Sequence, residues 1–107
     1  MLNAVVNNAY IERLTQVVCH LHCCRASHTA TVPVHEVFRG QTVWRGEVEV
    51  FAITGHTKAS KCYAWSHPDG PDDAGERFIT VLELPPVESP VTAVRASIIA
   101  AAKKLKK

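Results

Sequence analysis

The sequence lacks the segments that direct a chain into or across a membrane. It contains no run of about 18 apolar residues, and its start has no basic stretch followed by an apolar core and a small-residue cleavage site. Neither a membrane-spanning helix nor a secretory signal is therefore predicted. We expect a cytoplasmic protein, with no membrane partner, whose thiols are reduced rather than paired in disulfides.

The sequence also lacks a catalytic signature. No nucleophile, general base and oxyanion donor can be placed together from its residues, so an enzyme is not predicted and no cofactor is expected. With 107 residues, the chain has the length of one small domain. Its function must then be sought among binding and interaction proteins.

Three of the four cysteines crowd into one short segment that also holds histidines. On a helix, Cys19 and Cys23 stand one turn apart, as do His20 and Cys24, and these ligand types suit zinc. However, structural zinc motifs usually place a Cys-x-x-Cys or His-x-x-x-His pair on each of two elements, and Cys-His-Leu-His-Cys-Cys matches neither. Zinc binding by these four residues is our third hypothesis of function, beside merely adventitious binding.

What the sequence does contain is a clear strand pattern after Gly40. In residues 42–53, apolar and charged side chains alternate with the period of two of a half-buried strand. Residues 61–67 alternate small and aromatic side chains, and residues 77–84 complete the pattern. The sequence therefore predicts three antiparallel strands.

A helix is predicted after the third strand. Pro85-Pro86 stops the strand, because proline cannot donate to a ladder, and Ser89 is an N-cap with Pro90 at the first helical position. The apolar residues beyond it recur at spacings of three and four, which gives one stripe that packs on the sheet. Residues 41–107 are thus predicted to form a β-β-β-α domain.

Residues 1–40 are patterned less clearly. A helix over about residues 8–24 is predicted because four apolar residues follow helical spacing: Ile11, Leu14, Val18 and Leu21. The alternative is a segment that is poorly ordered or an upstream extension of the functional chain. With this helix, the expected fold is α+β, with the order α-β-β-β-α in two layers.

Both faces of the predicted sheet carry large apolar side chains, but the C-terminal helix covers only one face. The other face would be closed by the N-terminal helix, by a second copy of the chain or by a partner. Tyr63, Trp65 and His67 share one face of the second strand, where they either contact a partner or pack in the core. Our first hypothesis is a non-enzymatic interaction domain that forms a homodimer or binds an unidentified protein through such a face.

The charge distribution bears on a second hypothesis, nucleic-acid binding. The net charge is +2, but residues 41–102 carry five basic and eight acidic side chains. An acidic body argues against a surface that tracks a phosphate backbone. The alternative would depend on the lysines at the end of the last helix, which are also favoured there by the helix dipole: Lys103, Lys104, Lys106 and Lys107.

The order helix, three strands, helix resembles the double-stranded RNA-binding domain. The resemblance is one of topology, because that family has a basic cluster where this chain has residues 89–93 and a Gly-Pro-His loop where it has residues 54–57, so it does not imply RNA binding. Residues 42–51 and 63–67 resemble small uncharacterised bacterial proteins. That likeness begins near Gln41 and implies no activity.

Overall fold

The computed structural model of the chain describes residues 2–68 and 76–105. Four strands form one antiparallel sheet in the order β1-β2-β3-β4, so each strand lies beside its neighbour in sequence. The predicted α+β class with an antiparallel sheet is confirmed, but the predicted number of three strands is wrong. The elements are α1 (Leu2–His22), β1 (Arg25–Phe38), β2 (Gln41–Thr54), β3 (Lys61–Pro68), β4 (Glu76–Leu82) and α2 (Pro90–Leu105).

The strand that sequence reasoning missed is β1. It pairs with β2 from Arg25↔Thr54 to Phe38↔Gln41, with irregularities after His28 and after Glu36. The order of elements in the chain, α-β-β-β-β-α, therefore has one strand more than the order expected from the sequence. The predicted division between residues 40 and 41 falls inside the β1–β2 hairpin.

Pro33 does not interrupt β1 because the backbone nitrogen of Pro33 faces away from the partner strand β2. The Val50 carbonyl accepts a hydrogen bond from Thr29 Oγ1 at 3.2 Å, so the even-numbered residues of β2 face β1 here. Val32 and Val34 pair with Val48 and Gly46 of β2. Pro33, which lies between them, therefore faces away from β2. Because β1 is an edge strand, the missing N–H of proline removes no ladder bond.

The β1–β2 hairpin closes on two residues with positive φ, Arg39 at 54° and Gly40 at 79°. Two such residues between paired strands form a type I′ turn, whose twist matches that of the strands it joins. The change of sequence character near Gly40 thus marks a tight turn within the sheet.

The two helices cover opposite faces of the sheet. On the α2 face, a buried cluster contains Val48 and Val50 of β2 together with Ala93 and Val94 of α2. On the α1 face, the buried cluster contains the alternate residues of the sheet and the buried side of α1: Leu14, Val18, Phe51, Ile53, Ala59, Cys62 and Ala64. The fold therefore has three layers rather than the two predicted, and α1 closes the face for which the sequence left three alternatives.

The predicted N-cap of α2 is confirmed. Thr92 N–H donates to Ser89 Oγ at 3.2 Å, and Ser89 N–H donates to Thr92 Oγ1 at 2.9 Å. This reciprocal pair is a capping box in which a threonine hydroxyl replaces the usual carboxylate. Ala93 N–H donates to the Ser89 carbonyl at 2.9 Å, the first bond of the helix.

The ladder between the two central strands, β2 and β3, is shorter than the ladders on either side of it. β2 and β3 pair only from Glu49↔Ala64 to Ala52↔Lys61, whereas β1–β2 and β3–β4 continue beyond this stretch. Beyond the Glu49↔Ala64 pair, the sheet thus separates into two hairpin arms, one formed by β1 and β2 and the other by β3 and β4. On the α2 face, the rings of Trp44 and Trp65 bridge the arms edge to face, with centroids 5.6 Å apart. Within the described residues, no helix has the length and apolar character needed to cross a membrane.

Candidate functional site

The aromatic residues predicted to bind a partner are buried. Tyr63 and Trp65 are 2% and 1% exposed, in the cluster between the sheet and α2. Tyr63 Oη donates to Glu83 Oε2 at 2.7 Å, and burial together with this hydrogen bond raises the pKa of Tyr63. The expectation that these rings lie on a free face is corrected because α2 covers that face and α1 covers the other. The third residue of that prediction, His67, has a side chain outside the described residues.

The four residues proposed as zinc ligands do not form one site. Cys19, Cys23 and Cys24 line a common pocket, whereas His20 lines a separate groove between α1 and β4. Within the part of the chain that the structure describes, no group of three or more histidine, cysteine, aspartate or glutamate side chains is placed to hold a metal ion. The predicted helical spacing of the cysteines is wrong, because α1 ends at His22 and Cys23 has a positive φ. The chain reversal after the helix brings the thiols to one pocket, while His20, still within α1, lines the other groove.

The lysines of the nucleic-acid hypothesis cannot be placed as a surface. Lys103 and Lys104 belong to the last turn of α2, but their side chains lie outside the described residues. Lys106 and Lys107 lie outside the described residues altogether.

A buried polar network crosses from β1 to β2 on the α1 face. Glu49 is 4% exposed, and its Oε1 accepts a hydrogen bond from Thr31 Oγ1 and lies 2.8 Å from His28 Nε2. In a catalytic triad the imidazole stands between the carboxylate and the hydroxyl, whereas here both partners reach the same carboxylate oxygen. The arrangement pins the two strands together beside the irregularity in β1, which fits a structural role.

Sequence reasoning did not identify the most exposed apolar surface of the described residues. We call it the hairpin tip, residues 37–43, where Val37 is 52% exposed, Phe38 62% and Val43 48%. The Arg39 guanidinium lies over the Phe38 ring, 5.2 Å from its centroid, which favours an outward ring held by a cation–π contact. The Arg-Gly pair between two β-rich runs is the sequence signal that would have placed Phe38 next to a hairpin turn.

The hairpin tip continues into a stretch of β2 that pairs with β1 but not with β3. Ile53 N–H donates to the Ser60 carbonyl at 2.9 Å, so the odd-numbered residues of β2 face β3 at that end of the strand. Pairing with β3 ends at Glu49, and Arg45 and Glu47 therefore direct their backbone groups toward the gap between the arms. Unpaired strand edges are sites at which another chain adds a strand.

Comparison with known proteins gives no precedent for this arrangement. No protein-family model matches the chain, and no curated protein or solved structure matches it significantly. What the chain does is therefore inferred from its own residues.

Proposed function

We propose that this chain is a small non-enzymatic interaction domain that self-associates through the hairpin tip and the adjoining edge of β2. The observation that carries the proposal is the joint exposure of Val37, Phe38 and Val43 on the arm that extends beyond the paired centre of the sheet. Large exposed apolar side chains grouped at one end of a small domain are typical of interaction sites. Val37 and Phe38 are consecutive in β1 and therefore point to opposite faces of the hairpin, so the Phe38 ring is the expected energetic anchor on its own face.

A second copy of the chain fits this surface through its charges. Arg45 and Glu47 are both exposed, and they lie two residues apart on one face of β2. Antiparallel pairing about a two-fold axis through Gly46 would set Arg45 of each copy across from Glu47 of the other. Opposite charges in directly facing positions stabilise strand pairs, by about 0.2–1 kcal/mol each. Such a contact is self-complementary, as a two-fold dimer requires.

The apolar contribution is larger than that of the charges. Full burial of a phenylalanine side chain contributes about 1.5–3 kcal/mol, and roughly three fifths of Phe38 is open to solvent. Removing its ring is therefore expected to cost about 1–2 kcal/mol per copy, or about 2–4 kcal/mol of association free energy, because both copies of a two-fold dimer lose it. Since about 1.4 kcal/mol corresponds to a tenfold change in affinity, Phe38→Ser should weaken the dimer by roughly 30-fold or more.

Sedimentation equilibrium over a range of concentrations tests the proposal. The matched control is Leu21→Ser, since Leu21 is 58% exposed near the end of α1, where the chain enters β1 at the opposite end of the hairpin from its tip. We expect the dimer to weaken in Phe38→Ser and to be unchanged in Leu21→Ser. A wild-type chain that stays monomeric at every concentration, or equal weakening in Phe38→Ser and Leu21→Ser, would contradict self-association through this surface.

Charge reversal tests the edge separately from the tip. Arg45→Glu alone would place an acidic side chain at position 45 of each copy opposite Glu47 of the other copy. The two repulsive pairs should weaken the dimer. The double variant Arg45→Glu/Glu47→Arg restores opposite charges and should recover the wild-type affinity. Failure of the double variant to recover it would exclude the β2 edge pairing and leave the hairpin tip as the interface.

A further inference from the structure

Helix α1 ends in an arrangement that places three thiols together. Cys24 N–H donates to the Cys19 carbonyl at 3.3 Å, and Cys23 between them has φ of 52°. This is a Schellman motif, in which a residue in the left-handed region reverses the chain after the last helical turn. Glycine usually occupies that position, and here it is Cys23.

The motif fixes how close two of the cysteines stand. Its first and last residues, here Cys19 and Cys24, commonly bring their side chains into contact. The 3.3 Å hydrogen bond and the standard bond lengths on either side limit the separation of their Cα atoms to about 7 Å. Disulfides join Cα atoms roughly 4.4–6.8 Å apart. Cys24 Sγ lies 4.0 Å from the Val18 carbonyl, so this thiol folds back over the last turn of the helix.

The same thiols are accessible from solvent. Cys19, Cys23 and Cys24 line an open pocket of about 550 Å³ beside Arg25 and Gly55. Cys23 is exposed, and the other two are half-buried. Burial raises the pKa of Cys24, and the neighbouring thiols Cys19 and Cys23 raise it further.

The fourth cysteine differs from these three in its access to solvent. Cys62 has no exposed surface and packs in the cluster under α1. Burial raises its pKa to about 12. Because the thiolate is the reactive form, this cysteine is an internal control for any reagent that acts from solvent.

We propose that the pocket at the end of α1 is a thiol-modification site that reacts with low-molecular-weight disulfides and closes to a Cys19–Cys24 disulfide. One thiolate of the pair attacks a sulfur of oxidised glutathione, which forms a mixed disulfide and releases one glutathione thiolate. The second thiolate attacks the protein sulfur of that mixed disulfide and releases the other. Two protein thiols are oxidised, and one glutathione disulfide is reduced to two thiols. The new bond ties the end of α1 to the start of β1.

The test is exposure of the folded chain to oxidised glutathione in the absence of air, followed by mass spectrometry of the intact protein and of its peptides. We expect Cys23→Ser to lose two hydrogens and to yield a peptide that links Cys19 to Cys24, and the wild type to form the same link whether or not the exposed Cys23 also carries a glutathione adduct. In the Cys23→Ser background, Cys19→Ser and Cys24→Ser should instead stop at a glutathione adduct on the remaining cysteine of the pair. Cys62 should stay unmodified throughout.

Two results would overturn the proposal. One is a Cys23→Ser variant that acquires adducts on Cys19 and Cys24 but no internal disulfide, which would show that the pair cannot close. The other is a wild type whose internal disulfide joins Cys23 to a neighbour. Because Cys23 is exposed, its replacement by serine is not expected to disturb folding, so the first result remains interpretable.

Discussion

Leu14→Ala measures how much helix α1 contributes to the fold. Leu14 is fully buried between α1 and the sheet, where it packs in the cluster that contains Phe51 and Ala64. Truncation of a buried leucine removes its transfer free energy and leaves a cavity, which together cost about 2–5 kcal/mol. We expect a loss near the middle of that range, about 3 kcal/mol. For a domain of about this size, each kcal/mol lowers Tm by roughly 4–8 °C, so Tm should fall by about 12–24 °C.

The matched control lies in the same helix. Leu21 is 58% exposed, and Leu21→Ala makes the same chemical change at a site where little packing is lost. We expect it to change stability by no more than about 0.5 kcal/mol. Urea unfolding followed by tryptophan fluorescence suits both variants, because Trp44 and Trp65 belong to the cluster on the α2 face and not to the one that holds Leu14. Equal midpoints for the wild type and Leu14→Ala would refute the packing of α1 on the sheet.

Two further predictions concern stability. In Gly46→Ala, the new Cβ would lie 3.0 Å from the Trp44 indole. We therefore expect the free energy of unfolding to fall by about 1–2 kcal/mol and the tryptophan fluorescence maximum to shift. The control is Gly40→Ala, at φ +79° in open space, which should lower the free energy of unfolding by about 1 kcal/mol without shifting the fluorescence. Burial lowers the pKa of His22 below 6.5, so the unfolded chain binds protons more readily and stability should fall as pH drops below about 6.5. His22→Gln keeps a hydrogen-bonding group for Thr80 and should reduce the pH dependence of the urea midpoint between about pH 7.5 and 5. An unchanged pH dependence would show that His22 is not the group responsible.

The strands with regular alternation were predictable from sequence, and β1 was not. Period-two alternation located β2 and β3 to within a residue or so, because the outer half of β2 keeps one face exposed and β3 alternates small with aromatic side chains. In β1, Pro33 and the extra residue at Thr29 break the alternation, and most of its side chains are exposed at the sheet edge. Nothing local distinguishes such a strand from a loop; its partner β2 does.

The candidate site was less predictable than the fold. Alternation showed that Tyr63 and Trp65 share a face, but which helix covers that face is decided by contacts distant in sequence. The exposure of Phe38 likewise follows from the early end of β2–β3 pairing, which no property of residues 37–43 reveals. The three thiols meet because the chain reverses at Cys23 after the end of α1, which helical spacing does not predict, and the separation of His20 from them depends on where α1 sits against β4.

The short ladder between β2 and β3 has a consequence for amide exchange. Ser66 lies on the side of β3 that faces β2, beyond the last pair of that ladder, and its N–H donates to the Tyr10 hydroxyl of α1 at 3.1 Å. A strand proton is thus held by a helix side chain. Its exchange with deuterium should follow undocking of α1 rather than opening of the strands, so this single proton reports on the helix in a chain whose ladder protons report on the sheet.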